Sequence, residues 1–239
     1  MKRFVCIILA LVLCASAAVA ESWSVPSKST LDMTHFEVVA EKQPGDENIF
    51  LLPVNDVTVV EENKVFYQER IDVCEKEIQK LAASETVESY FGEVKDAEGN
   101  VVDIKEKLGV EKEAVLDVFE FCPAVAGGFK EDCGKVTAKM RFSTPYKKEE
   151  KVLVMIGIVT VLDDGTQVVD WQMFEGFGLG EIEDEEENFG AIQVELTPEI
   201  VAAIQNGMAL MAVVSAEDAA EMMAETGAED VAEATEAAE

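Results

Sequence analysis

The stretch that decides the fold is Val152–Met173, with the sequence VLVMIGIVTVLDDGTQVVDWQM. Its first half, Val152–Leu162, is almost continuously apolar, and Asp163–Gly165 is typical of a hairpin turn. After the turn, apolar and polar side chains alternate, which predicts a return strand with one buried face. The apolar side chains are Val169, Trp171 and Met173, and the polar ones are Asp170 and Gln172.

The first strand of this hairpin is apolar on both faces. An antiparallel strand with one face in water alternates between apolar and polar residues, so we expect another element to cover the outer face. Further strands are predicted near residues 115–121, 136–142, 191–196 and 208–214. Six short strands over roughly 100 residues predict an immunoglobulin-like antiparallel β-sandwich.

An amphipathic helix is predicted upstream of these strands, beginning near Asn63. Its apolar residues are spaced four and three apart, which places them on one helical face. They are Tyr67, Ile71, Cys74, Ile78 and Leu81. A second short helix near 87–91 is predicted with Ser84 as its cap. We expect the long helix to cover the outer face of Val152–Leu162, which gives an α+β fold with the helical region packed on the sandwich.

The first twenty residues are typical of a secretory signal. Lys2 and Arg3 precede the apolar stretch Val5–Leu13, and small residues follow. Cleavage is predicted between Ala20 and Glu21. Two alternatives stay open, a retained membrane anchor and lipid attachment through Cys14, although the latter normally requires a small residue where Leu13 stands.

The charge is strongly acidic, with 49 acids against 19 bases and a formal net charge of -30. A chain of this charge is not expected to bind a nucleic-acid backbone or an anionic membrane surface, because both need clustered Lys and Arg. The C-terminal segment is rich in acids and alanine without an apolar stripe, and we expect it to be disordered. The predicted organisation is a signal peptide over 1–20, a helix-rich region over 21–112, a sandwich domain over 113–215 and an acidic tail over 216–239.

Three segments carry a resemblance to known proteins. They are Tyr90-Phe91-Gly92, Phe142-Ser143-Thr144-Pro145-Tyr146 and Ala203–Leu210. In these segments the chain resembles uncharacterised secreted proteins of anaerobic Gram-positive bacteria. In that family a helical region precedes an immunoglobulin-like sandwich. The resemblance covers about residues 85–215 and implies an exported or cell-envelope setting. It implies no catalytic residues.

No catalytic, cofactor-binding or metal-binding set is predicted. The single histidine, His35, cannot form a two-histidine metal site, and no nucleophile-elbow or phosphate-binding motif is present. Cys122 and Cys133 flank a connection that could let them form a disulfide, and two reduced thiols are the alternative. Cys74 lies on the apolar stripe and is expected in the core.

Phe174 and Phe177 are candidate exposed aromatic residues for binding, because they stand beside the glycine-rich segment Gly176–Gly180. That segment is predicted to be a flexible connection. Trp171 shares a strand face with Val169 and Met173, so we expect it in the core.

The function predicted from these features is binding or structural, at the cell envelope or outside the cell, without enzymatic activity. The ligand would be an unknown protein or glycan of that setting. Two alternatives stay open, a glycan hydrolase that uses paired carboxylates and a peptidase inhibitor or chaperone-like protein that engages basic partners. A hydrolase requires a cleft with two converging acids, one with a raised pKa.

Overall fold

A computed structural model describes residues 37–42, 49–53, 64–142, 144, 146–183 and 188–216. The predicted cleavage site at Ala20 and Glu21, the alternative anchor at Cys14, and His35 lie outside the described residues. So does the acidic segment after Ala216.

The described part of the chain contains ten strands and four helices. The strands are β1 Glu37–Ala40, β2 Phe50–Pro53, β3 Val94–Lys95, β4 Val101–Val102, β5 Leu116–Gly127, β6 Val136–Phe142, β7 Lys151–Val161, β8 Gln167–Glu183, β9 Asn188–Leu196 and β10 Met208–Ala216. The helices are α1 Lys64–Ala82, α2 Val87–Phe91, α3 Ile104–Leu108 and α4 Pro198–Asn206.

The strands form one sheet with the order β1-β6-β9-β8-β7-β10-β5-β2, in which every neighbouring pair is antiparallel. Strand β3 pairs with β4 and, in parallel, with β8. The sheet curves until it is nearly closed, so β5 and β6 contribute side chains to the same inner core. The predicted β-rich, mainly antiparallel fold is confirmed.

The predicted hairpin is strands β7 and β8. Val161 pairs with Gln167, and the backbone N–H of Leu162 donates to the carbonyl of Thr166 at 2.8 Å. Gly165 has a φ of 81°, which a glycine adopts without steric cost. The predicted turn at Asp163–Gly165 is therefore confirmed.

The two apolar faces of β7 belong to two separate cores. Val152, Val154 and Ile156 lie in the inner core, to which α4 also contributes side chains. Leu153 and Met155 lie in an outer core together with Cys74 and Leu81 of α1, and α2 and α3 contribute to the same core. The apolar side chains of α1 thus cover the outer face, which explains why β7 does not alternate.

An aromatic cluster anchors the outer core. The rings of Phe91 and Trp171 meet edge to face with centroids 4.9 Å apart, and Tyr90 and Phe121 complete the cluster. Trp171 is buried, as its place on the strand face predicts. Such edge-to-face contacts stabilise the packing beyond the burial of area alone.

Three local predictions need correction. Thr86, not Ser84, caps α2, because its hydroxyl accepts from the N–H of Ser89 in a capping box, whereas Ser84 donates to the carbonyl of Lys80. Gly176–Gly180 is part of β8 and not a flexible connection, since it pairs with β9. The last strand runs through Ala216, which pairs with Leu116, and so extends two residues beyond the predicted 208–214.

Candidate functional site

The two aromatic residues predicted for binding have different surroundings. Phe174 lies in the inner core and is 2% exposed, so its prediction as an exposed contact is wrong. It alternates with its neighbours and points inward, as expected inside a regular strand. Phe177 is 43% exposed and pairs across the sheet with Lys151. Only Phe177 of the two is available to a ligand.

The cysteines are buried thiols in the described part of the chain. The sulfhydryl of Cys122 lies 3.2 Å from the carbonyl oxygen of Glu120, and that of Cys133 lies 3.4 Å from the carbonyl oxygen of Gly134. The candidate bridge between Cys122 and Cys133 is therefore not formed in the structure. Cys74 lies in the outer core, as predicted.

The segment between β6 and β7 lies across the sheet. We call its described residues, Thr144 and 146–150, the β6–β7 connection. The backbone of Gly178 is bonded on both sides to this connection, from the N–H of Glu149 and to the carbonyl of Glu150, both at 2.8 Å. A Cβ at Gly190 would overlap the carbonyl oxygen of Thr144. The absence of side chains at these two glycines lets the connection rest directly on β8 and β9.

A cleft of about 370 Å³ lies beside this connection, and we call it the lysine cleft. Its walls come from the connection, from the end of α3 and from the end of β10. Three lysines line it against two glutamates. The lining residues are Leu108, Val110, Lys147, Lys148, Glu149, Glu150, Lys151, Ser215 and Ala216.

The acidic and basic side chains of the lysine cleft differ in whether they have partners. One carboxylate oxygen of Glu150 accepts from the N–H of Lys147 at 2.8 Å, and the other accepts from the hydroxyl of Ser215 at 2.8 Å. Glu150 thus fastens the connection to β10. Within the described residues, no ion pair joins the ammonium group of Lys147 or Lys148 to a carboxylate. These two ammonium groups are left to face solvent at the cleft.

The third lysine connects the cleft to the exposed aromatic ring. Lys151 pairs with Glu175 at 3.3 Å, and Glu175 also contacts Lys107 of α3 at 3.7 Å. Because Lys151 and Phe177 are register partners on adjacent strands, their side chains lie on the same face of the sheet. The lysine cleft and Phe177 therefore form one continuous surface.

Beneath the connection, Glu120 occupies a strained and buried position. Its φ is +55°, in the left-handed region that a residue with a Cβ rarely adopts. It stands at a β-bulge, where the β5–β10 register shifts between Met211 and Val213. Its carboxylate accepts from the Thr144 hydroxyl at 2.5 Å, and the residue is only 4% exposed. Burial raises the pKa of Glu120 to about 8, and the bond from Thr144 opposes that shift.

Tyr146 lies beside this carboxyl group and is fully buried. Its ring contacts Phe119 and Phe142 edge to face, at 6.4 and 6.3 Å. Burial, and next the charge of Glu120, raise the pKa of Tyr146 well above its ordinary value. The Tyr146 hydroxyl makes no hydrogen bond of acceptable geometry with any described group. Buried polar groups without such bonds are uncommon and lower the stability of the fold. Two buried polar side chains, Glu120 and Tyr146, therefore lie side by side in this part of the core.

A second cleft, of about 280 Å³, is lined by several carboxylates. Asp96 accepts from the N–H groups of Asn100 and Glu98, and these bonds, first the one from Asn100, lower its pKa. Glu175 and Glu195 in the same cleft pair with lysines. The carboxyl whose pKa burial raises, Glu120, does not line this cleft.

No group of three or more His, Cys, Asp or Glu side chains that could hold a metal ion occurs among the described residues. The acidic run after Glu181 falls largely outside the described side chains.

Comparison with protein-family models, with curated proteins and with solved structures finds no match to this chain. None of the helices in the described ranges has the length and apolar character needed to cross a membrane.

Sequence reasoning missed the lysine cleft and Glu120. The cluster Lys147-Lys148-Glu149-Glu150-Lys151 was visible as the densest group of bases in an acidic chain. Glu120 and Asp117 interrupt a strand that is otherwise apolar, and that break in the pattern was the signal. The strain at Glu120 and its contact with Thr144 depend on a bulge, which the sequence alone does not specify.

Proposed function

We propose that this protein is an exported, non-enzymatic binding protein of the cell envelope or extracellular space. The secretory-type segment that ends at Ala20 supports the setting. The resemblance to secreted proteins with a helical region and an immunoglobulin-like sandwich supports the same setting and class of fold. The nearly closed antiparallel sheet with α1 packed on its outer face is compatible with that architecture.

The observation that carries the proposal is the surface formed by the lysine cleft and Phe177. Lys147 and Lys148 present ammonium groups that no described carboxylate pairs with, and Phe177 adds an exposed apolar ring. A concave surface with a few convergent polar groups and an apolar contact is typical of a ligand site. Its chemistry favours a ligand with carboxylate or phosphate groups on an envelope glycan or protein.

The net charge of the whole chain does not prevent such binding. Charges more than about 8 Å away are largely screened at physiological ionic strength, so the nearest side chains dominate. At the cleft these are three lysines and two glutamates, and Glu150 is already engaged by Lys147 and Ser215. The alternative, a basic partner, is supported by the overall negative charge of the chain. The local charge of the lysine cleft instead favours an anionic ligand.

The paired-carboxylate hydrolase has weaker support. In the carboxylate-lined cleft, Glu175 and Glu195 pair with lysines, and Asp96 accepts from backbone N–H groups. A binding role needs no proton donor and is compatible with these pairs.

The test is a binding titration of the full secreted chain with charged and neutral probes. We expect an oligogalacturonate and a polyglutamate peptide to bind and a neutral oligogalactan not to bind. The double substitution Lys147→Gln with Lys148→Gln should weaken binding about tenfold or more, because each charge-assisted hydrogen bond contributes roughly 1.5 kcal/mol or more.

The matched control is Lys76→Gln, an exposed lysine of α1 away from the cleft. It should leave the affinity unchanged. Equal binding of neutral and anionic probes, or equal loss in the Lys76 variant, would contradict the proposal. Release of reducing sugar ends from a glycan would instead support the hydrolase.

A further inference from the structure

The β6–β7 connection carries two of the three cleft lysines and is fastened to the body at three places. Gly178 is hydrogen-bonded to the backbone of the connection, and the hydroxyl of Ser215 donates to Glu150. The carboxyl group of Glu120 accepts from the hydroxyl of Thr144. In the first two attachments, Gly178 and Ser215 of the sheet are buried, and their partners Glu149 and Glu150 are exposed and half-buried. The third reaches a carboxyl group that is buried in the inner wall of the sheet.

We propose that Glu120 and Thr144 form a proton-dependent latch that holds the β6–β7 connection, and with it the lysine cleft, against the sheet. The neutral carboxylic acid keeps the latch closed, and loss of its proton opens the latch. The latch itself is a property of the fold. Its effect on ligand binding rests on the function proposed above.

The surroundings of Glu120 explain why ionisation would open the latch. No ion pair reaches Glu120 among the described residues, and its hydrogen-bond partner there is the neutral hydroxyl of Thr144. Besides Glu120, the titratable groups that act on the neighbouring Tyr146 hydroxyl are Glu150 on the connection and Cys122 on β5. The facing strand β10 brackets the bulge with Met211 and Val213, which cannot solvate a charge.

Two effects oppose each other when Glu120 loses its proton. The hydrogen bond from Thr144 would strengthen, because a charged acceptor binds a hydroxyl more tightly. Burial acts the other way and is the larger effect, since it determines the direction in which the pKa moves. An ionised carboxylate can regain hydration only if water enters, and lifting the connection is the direct route because Thr144 and Tyr146 cover the group.

The strained backbone supports the same interpretation. A glutamate in the left-handed region at a bulge is costly, and so is a buried tyrosine hydroxyl without a good partner. Energetically unfavourable arrangements that cluster in one place are typical of switch regions and functional sites. Here both belong to the contact between β5 and the β6–β7 connection.

The test is hydrogen exchange of the full secreted chain, measured from about pH 6 to about pH 9 and corrected for the intrinsic rate. Protection of the amides in 146–150 should fall about tenfold between neutral pH and about pH 9, as ionisation of Glu120 becomes dominant. Glu120→Gln should abolish that dependence and keep the connection protected throughout. No ligand is used, so failure of the latch is distinct from failure of the proposed binding.

The matched control is Glu77→Gln, which changes a second buried glutamate of the described chain, one that pairs with Lys80 and accepts from Tyr90. It should keep the pH dependence of the wild-type connection. If Glu120→Gln does not fold, carbon-13 titration of the wild-type Glu120 carboxyl gives the decisive comparison. Coincident midpoints for that carboxyl and for exchange in 146–150 support the latch. Separate midpoints, a flat wild-type profile or a pH-dependent Glu120→Gln variant would overturn it.

Discussion

At the scale of single residues, position decides the properties of chemically similar side chains. Glu77 and Glu120 are both almost fully buried, yet Glu77 pairs with Lys80 and accepts from Tyr90, whereas the partner of the Glu120 carboxyl group among the described residues is the hydroxyl of Thr144. Burial raises the pKa of Glu120 to about 8. Its charge state therefore changes close to physiological pH.

The stability of the fold should depend on pH through Glu120. The folded-state pKa is raised above the ordinary 4.5, so the folded state retains a proton that the unfolded state releases between about pH 4.5 and 8. The free energy of unfolding should fall over that window by a few kcal/mol. Glu120→Gln should flatten the profile and be the more stable variant at neutral pH. Urea denaturation at several pH values measures both, and an unchanged slope in the variant would contradict the assignment.

The glycine at position 190 is expected to be indispensable for the connection. A Cβ there would overlap the carbonyl oxygen of Thr144, which is backbone and cannot rotate away. Gly190→Ala should destabilise the protein by about 1–3 kcal/mol, the usual cost of overpacking. Gly176→Ala is the graded comparison, because its Cβ would lie 3.0 Å from the carbonyl oxygen of Gln193 and should cost less. Thermal unfolding of both variants checks the order, and the reverse order would show that the connection can move freely.

At the scale of elements, most of the architecture could be predicted because local patterns and long-range packing agree. The hairpin β7–β8 and the strand β6 follow directly from periodicity and turn residues. The doubly apolar character of β7 predicted a cover on its outer face, and α1 contributes to that core. The bulge at Glu120 and the overlap at Gly190 could not be predicted, because both arise from strand register and not from residue type.

The contribution of α1 can be measured at one residue. Leu81 is fully buried in the outer core, so Leu81→Ala should lower the free energy of unfolding by about 2–5 kcal/mol. Lys76→Ala on the exposed side of the same helix should change it by less than about 0.5 kcal/mol. Chemical denaturation distinguishes the two. Similar small effects would mean that α1 does not stabilise the sheet.

At the scale of the whole molecule, the net charge of -30 hides a local exception. The bases at positions 147, 148 and 151 converge on one cleft, and Phe177 borders it. Composition correctly describes the average surface but not where opposite charges gather in space. The proposed binding surface therefore depends on how the β6–β7 connection lies on the sheet, which composition does not specify.

Export can be tested on the intact product. Mass spectrometry of the protein secreted by an expression host should find Glu21 as the first residue, because the small residues before it form the predicted cleavage site. A retained N-terminus would indicate an anchor, and a lipid on Cys14 would indicate attachment to the membrane. Either result would contradict the proposed secreted form.

Chemical-shift mapping can show whether the lysine cleft with Phe177 is the binding surface. Nitrogen-15 labelled full-length secreted protein is titrated with an oligogalacturonate at physiological salt. We expect saturable shifts concentrated at Lys147, Lys148, Lys151 and Phe177, with a weaker response in the Lys147→Gln, Lys148→Gln variant. Shifts that are absent, that spread evenly over the surface, or that centre on the carboxylate cleft around Asp96 would rule out this binding surface.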